Sequence, residues 1–127
     1  MVETLVLAAS LLQTPGPPPQ SPLTGTWKIE IIDNIPVMPE APVTLTFSNR
    51  VAGNASCNSF QGNYALTGTT LTIESLLTTM KACDGPRMDQ ERDFLTLLRK
   101  VTRFELGKED RLTLTTTDGK TVVASRK

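Results

Sequence analysis

From Gly25 onward, apolar and polar side chains repeatedly alternate with a period of two, the pattern of strands that bury one face. GTWKIEII (25–32) sets Trp27, Ile29 and Ile31 on one side, with Lys28 and Glu30 on the other. VTLTFS (43–48) turns Val43, Leu45 and Phe47 inward and Thr44 and Thr46 outward. FQGNYAL (60–66) and TLTIE (70–74) flank Thr67-Gly68-Thr69, a hairpin connection, and LLTTMKAC (76–83) is a further strand candidate. One segment changes period. In PRMDQERDFLTLLRKV (86–101), Phe94, Leu97, Leu98 and Val101 recur at helical spacing, with Met88, Glu91 and Leu95 on adjoining turns. Pro86 suits the first turn, and Asp89, Glu91 and Asp93 precede Arg99 and Lys100 in the order the helix dipole favours. Strands resume in TRFELG (102–107), DRLTLTT (110–116) and TVVAS (121–125), the last pair joined through Asp118-Gly119. These elements predict a small α+β domain. Its antiparallel sheet of about eight strands forms a partly open barrel, closed on one side by an amphipathic helix inserted before the last three strands.

The start of the chain reads differently. The apolar run from Leu5 to Leu12 has the length of a secretory leader's apolar region and is too short to span a bilayer. Glu3 stands where a basic residue is usual, and no cysteine follows the run to carry a lipid. Pro15, Pro17, Pro18, Pro19 and Pro22 then make a polyproline-like tether. Residues 1–22 are therefore expected to be leader and linker, and 23–127 the folded domain, in a periplasmic, cell-envelope or secreted protein without a transmembrane span.

Charge and composition narrow the chemistry. Thirteen basic residues balance thirteen acidic ones, which disfavours a protein built to neutralise nucleic-acid phosphates. Histidine is absent, so Ser-His-Asp and Cys-His catalysis and histidine-based zinc sites cannot be assembled. The expectation is a chain that is not an enzyme, with no catalytic residues, no metal ligands and no cofactor. Two cysteines, Cys57 and Cys83, leave three states open: a disulfide, buried thiols, or a reactive thiol. A bridge across that separation would contribute on the order of 3–4 kcal/mol in the chain-entropy model.

Around Cys57, the tract AGNASCNSFQGNY (52–64) reads as a tight turn or bulged hairpin. Gly53, Asn54, Asn58, Gly62 and Asn63 all tolerate unusual backbone there. Nothing in the tract supplies a base for Cys57. Asn54-Ala55-Ser56 fits a glycosylation acceptor, which matters only in a eukaryotic secreted chain. The loop NIPVMPEAP (34–42) holds Val37 and Met38 between prolines, as an interaction site or as a lid folded over the barrel mouth.

LTGTW (23–27) resembles the first strand of lipocalins, but a helix before three further strands does not fit that barrel. A fuller resemblance covers all of 23–127. LTGTWKI, GNASCNSFQGNYAL, LTIESLLTTMKAC, MDQERDFLTLLRKVTRFEL and DRLTLTTTDGKTVV, in that order, are similar to the META domain, the family of the bacterial heat-shock protein HslJ. The positions that carry it are Trp27, Cys57-Asn58, Gly62, Tyr64, Met80, Ala82-Cys83, Glu91 and Phe94-Leu95. Ser56 stands where the family has glycine.

The resemblance implies an α+β fold of antiparallel strands and one helix, in envelope-associated or secreted proteins linked to stress or motility. It supplies no reaction. Trp27, Asn58, Gly62, Tyr64, Met80, Ala82, Glu91 and Phe94 are implied to be structural. The joint presence of both cysteines implies a disulfide tying the turn at Cys57 to the segment before the helix. The function expected is a monomeric module that binds a protein or envelope component under stress. The alternative is a small-molecule or lipid carrier using an open-barrel cavity, and a thiol redox protein is the third reading.

Overall fold

A computed structural model describes residues 21–127, so the leader and most of the tether lie outside the described residues. Six strands come first: β1 (Gly25–Ile32), β2 (Ile35–Pro36), β3 (Val43–Phe47), β4 (Val51–Ala55), β5 (Ser59–Thr67) and β6 (Thr70–Thr78). Helix α1 (Gly85–Lys100) follows, then β7 (Val101–Leu106), β8 (Arg111–Thr116) and β9 (Thr121–Arg126). All pairings are antiparallel, in the order β2-β1-β3-β4-β5-β6-β7-β8-β9, and β1 also pairs with β9. Eight strands therefore close into a barrel, with β2 added beside β1.

Closure is firm at β1–β9, whose register runs from Trp27↔Arg126 to Ile32↔Val122. It is thinnest at β6–β7, where Thr70↔Arg103 is the one ladder pair. Helix α1 packs against β4, β6, β8 and β9, burying Glu91, Phe94, Leu95, Leu97 and Leu98. Phe94 meets Phe60 edge-on with ring centroids 5.8 Å apart. Inward positions of the strands fill the barrel axis: Trp27, Val43, Leu45, Val51, Leu71, Leu112 and Leu114 are fully buried.

Several local expectations change. The alternation of β1 does not run through to Ile31, because a bulge between Ile29 and Ile31 resets its phase and makes Ile32 the buried residue. LLTTMKAC is not a separate strand. Leu76–Thr78 extend β6 past Ser75, which has φ +57°, and the chain then leaves the sheet. Gly53 lies inside a strand, β4, which the glycine- and asparagine-rich composition had concealed. A Cβ on Gly53 would stand 2.1 Å from the Thr44 carbonyl oxygen, so glycine serves there for close strand approach and not for a turn.

Candidate functional site: a pinned turn and the cleft beside it

The turn between β4 and β5 reverses at Ser56-Cys57-Asn58 and is fixed from three directions. Cys57 and Cys83 are joined by a disulfide, with Cα atoms 6.1 Å apart. Glu91, on α1, is 5% exposed and receives the turn's donors. Its Oε1 accepts the N–H groups of Cys57 at 3.0 Å and Asn58 at 2.6 Å, and its Oε2 accepts Asn58 Nδ2 at 2.7 Å. Asn58 then reaches the segment after β6. Its Oδ1 accepts from Lys81 N–H at 2.7 Å and Thr79 Oγ1 at 2.8 Å, while Nδ2 also donates to the Lys81 carbonyl at 3.2 Å.

A buried carboxylate is tolerable here because every donor aimed at it is satisfied by it. Asn58 and Glu91 thus join turn, helix and the segment after β6 in one polar network. The disulfide ties the same turn to Cys83, two residues before the helix. No free cysteine remains. Ser56 adopts φ +109°, the conformation that explains glycine at this position in the family pattern.

The other motif positions scatter. The indole N–H of Trp27 donates to the Leu23 carbonyl at 2.9 Å, and the Arg126 guanidinium lies 4.2 Å from its ring centroid. Gly62 is buried in β5, where a Cβ would approach the Glu74 carbonyl to 2.8 Å. Tyr64 packs edge-on against Phe47, and its hydroxyl donates to the Ser48 carbonyl. Phe94 is core. Met80 departs from the structural role implied for it: its side chain is 92% exposed. The polar network holds this segment through the backbone of Lys81 and the disulfide through Cys83, which leaves Met80 and its neighbour Ala82 facing solvent.

Next to the network, Gln90 connects the loop after β2 to the turn. Its Oε1 accepts the Met38 N–H at 2.9 Å, while Nε2 donates to the Ala41 carbonyl at 2.9 Å and to Ser56 Oγ at 3.2 Å. The loop is therefore tied down. Val37 is half-buried against the core, and its N–H donates to the Glu30 carbonyl at 2.9 Å. Met38 is half-buried and lines the apolar end of an external cleft.

That cleft runs between α1 and the β1–β2 hairpin in two parts that share Ile32, Ile35 and Asp93. The apolar part, of about 180 Å³, is walled by Ile35, Pro36, Met38, Pro86 and Gln90. The polar part, of about 310 Å³, has Ile32 and Leu97 along its floor. Its rim carries Asp33, Arg92, Asp93, Lys100, Asp118 and Lys120.

Asp33 (φ +50°) and Asn34 (φ +66°) make the two-residue turn that holds Ile35 out, 63% exposed. Lys120 and Asp33 approach to 3.9 Å, and Arg92 and Asp93 to 3.6 Å. The Thr116 hydroxyl, donating to Asp118 Oδ1 at 2.6 Å, holds that carboxyl below its ordinary range; Lys100 and Lys120 act in the same direction. The tract 34–42, singled out with Val37 and Met38, brings Ile35, Pro36 and Met38 to this cleft, whereas Val37 does not line it. Ile35, in the same proline-rich tract, was the available signal, whereas Lys100 and Asp118 read as a helix end and a hairpin turn. Among the described residues, no group of acidic or cysteine side chains is arranged to hold a metal ion, and no helix is long and apolar enough to cross a membrane.

A family profile described as the META domain matches residues 21–127. No curated protein matches the sequence. Among solved structures, an NMR structure of a protein from Burkholderia xenovorans is similar at 24% identity. That match covers 91% of this chain and 94% of the other, with a TM-score of 0.69. A crystal structure of a DUF4847 family protein from Bacteroides vulgatus is similar at 15% identity, covering 80% of this chain and 91% of the other, with a TM-score of 0.57. At these identities the likeness is one of fold.

Proposed function

The chain belongs to the META domain family, and from that premise we propose that it is a non-enzymatic binding module. It acts in the cell envelope or among secreted proteins, engaging a protein or envelope component under stress. The observation that carries this reading is the contrast between the inside and outside of the barrel. The axis is filled by buried side chains, while apolar side chains and a charged rim face an open cleft beside α1. A carrier needs room inside, and packing of this kind favours a ligand held outside. The disulfide supports an oxidising compartment, where such bonds persist.

The test places a photoreactive amino acid at position 35, on the cleft rim, and another at position 105, an exposed position on β7. In the native host under heat stress, discrete adducts are expected from position 35 and not from 105. Equal labelling from both, or none from position 35, would refute the reading.

A further inference from the structure

The cleft has two unequal halves, and their chemistry narrows the ligand. At about 180 Å³, the apolar half lies below the roughly 300–1,000 Å³ of pockets that bury a small molecule. It has room for an anchoring side chain, and a larger apolar ligand would have to extend into the charged half. The charged half is mixed in sign, and its pairs are not equivalent. Asp33 is near Lys120, and Arg92 is shared between Asp89 at 3.0 Å and Asp93 at 3.6 Å. Lys100 and Asp118 have no ion pair among the described residues. Both line the half of the cleft that adjoins Ile35. One ammonium and one carboxylate thus line the charged half, beside the apolar notch, without a direct ion pair, although Lys100 and Lys120 both act on Asp118 at longer range.

A single-headed amphiphile complements one of these groups and leaves its chain without an enclosure. An extended peptide complements all three. An apolar side chain fills the notch at Ile35, Met38 and Pro86, a neighbouring carboxylate meets Lys100, and a main-chain N–H meets Asp118.

Resting on the binding-module reading, we infer that the cleft takes an extended peptide segment of a partner, presenting an apolar residue next to an acidic one. Anchoring is built in. Gln90 holds Met38 from beneath, and the Asp33-Asn34 turn fixes Ile35, so the notch is formed before a ligand arrives.

The probes are three blocked tetrapeptides: acetyl-Gly-Leu-Glu-Gly-amide, its Leu-Lys counterpart and its Ser-Glu counterpart. Dodecanoate serves as the amphiphile. Each is titrated into ¹⁵N-labelled protein and followed by amide chemical shifts. The Leu-Glu peptide is expected to give saturable shifts confined to 32–38, 90–100 and 118–120, and the Ser-Glu peptide to bind more weakly. Lys100→Glu should weaken the Leu-Glu peptide by about fivefold and favour the Leu-Lys peptide, as expected for an exposed ion pair turned to repulsion. Lys100→Gln should fall between.

The amide spectrum of each variant reports its fold, so a misfolded variant is replaced by the Gln form. Absence of saturable peptide shifts, stronger binding of dodecanoate at the same residues, or a charge reversal without effect would each overturn the inference. If position 35 still crosslinks in the host, but to a glycan or lipid, the binding reading survives and the peptide assignment fails.

Discussion

Removing the Glu91 carboxylate should unlock the turn at Cys57, and the size of the effect can be worked from the network. Glu91→Ala leaves the N–H groups of Cys57 and Asn58 and one Asn58 Nδ2–H without their acceptor. An orphaned buried donor costs about 1–3 kcal/mol. The sum, moderated by water entering the vacated space, is about 4 kcal/mol, a large share of the ~5–15 kcal/mol that a domain has.

Glu91→Gln is the sharper variant. Its carbonyl can still accept both backbone donors, but its amide then faces Asn58 Nδ2, donor against donor. Asn58 cannot rotate to relieve this, because its Oδ1 is committed to Lys81 N–H and Thr79 Oγ1. About 2 kcal/mol should be lost. Urea unfolding with the disulfide intact is the assay. At roughly 1.5 kcal/mol per molar urea, the midpoint should fall by about 2.5 M for Ala and somewhat over 1 M for Gln. Glu105→Gln, at an exposed position of β7, is the control and should stay within about 0.5 kcal/mol of the parent. If both Glu91 variants also stayed within that range, the network would not hold the turn.

Three further outcomes are expected from the same packing. Ser56→Gly should stabilise the protein by about 1 kcal/mol, since φ +109° strains any side chain and Gln90 Nε2 keeps the Ala41 carbonyl; a lower melting temperature would contradict this. Gly53→Ala should cost more than about 3 kcal/mol or prevent folding, because its Cβ would meet the Thr44 carbonyl oxygen at 2.1 Å; wild-type behaviour in thermal unfolding would show that β3 and β4 can separate freely. Asp118 has a depressed carboxyl pKa, so its ionised form adds stability that is complete above the unfolded value of about 3.9 and lost as pH falls below it. Asp118→Asn should therefore lower the urea midpoint at pH 7 and leave it unchanged near pH 2; an equal loss at both would exclude the charge as the cause.

The strands and helix were legible where side chains alternate or recur cleanly, as in Val43–Phe47 and Phe94–Leu98. Strand β4 was not, because VAGNA pairs through its backbone and owes its place to a glycine's lack of bulk, which no hydrophobic pattern reports. The bulge in β1 was hidden too. A reset of phase between Ile29 and Ile31 leaves three isoleucines that read equally well in either register. Closure of the barrel depends on β1 meeting β9, a pairing across nearly the whole domain with no local signature.

The family motif predicted the disulfide, while the use of Glu91 as acceptor for the Cys57 turn required the fold. Glu91 and Asn58 lie 33 residues apart and meet only when α1 packs onto the sheet. The cleft was the least legible part. Lys100, Asp118 and Ile35 belong to three separate elements, and each has an ordinary reason to be where it is.

Among the described residues the barrel axis is filled by buried side chains, and the cleft proposed for binding lies outside it. Methyl-resolved NMR under xenon pressure tests this arrangement most directly, since xenon enters dry apolar cavities and reports them by shifts of the lining methyls. Methyl signals of Leu45, Leu71 and Leu114 that stay unmoved as the xenon pressure rises are the predicted result. Saturable shifts of Leu45, Leu71 and Leu114 would contradict the account and turn the search toward a ligand carried inside.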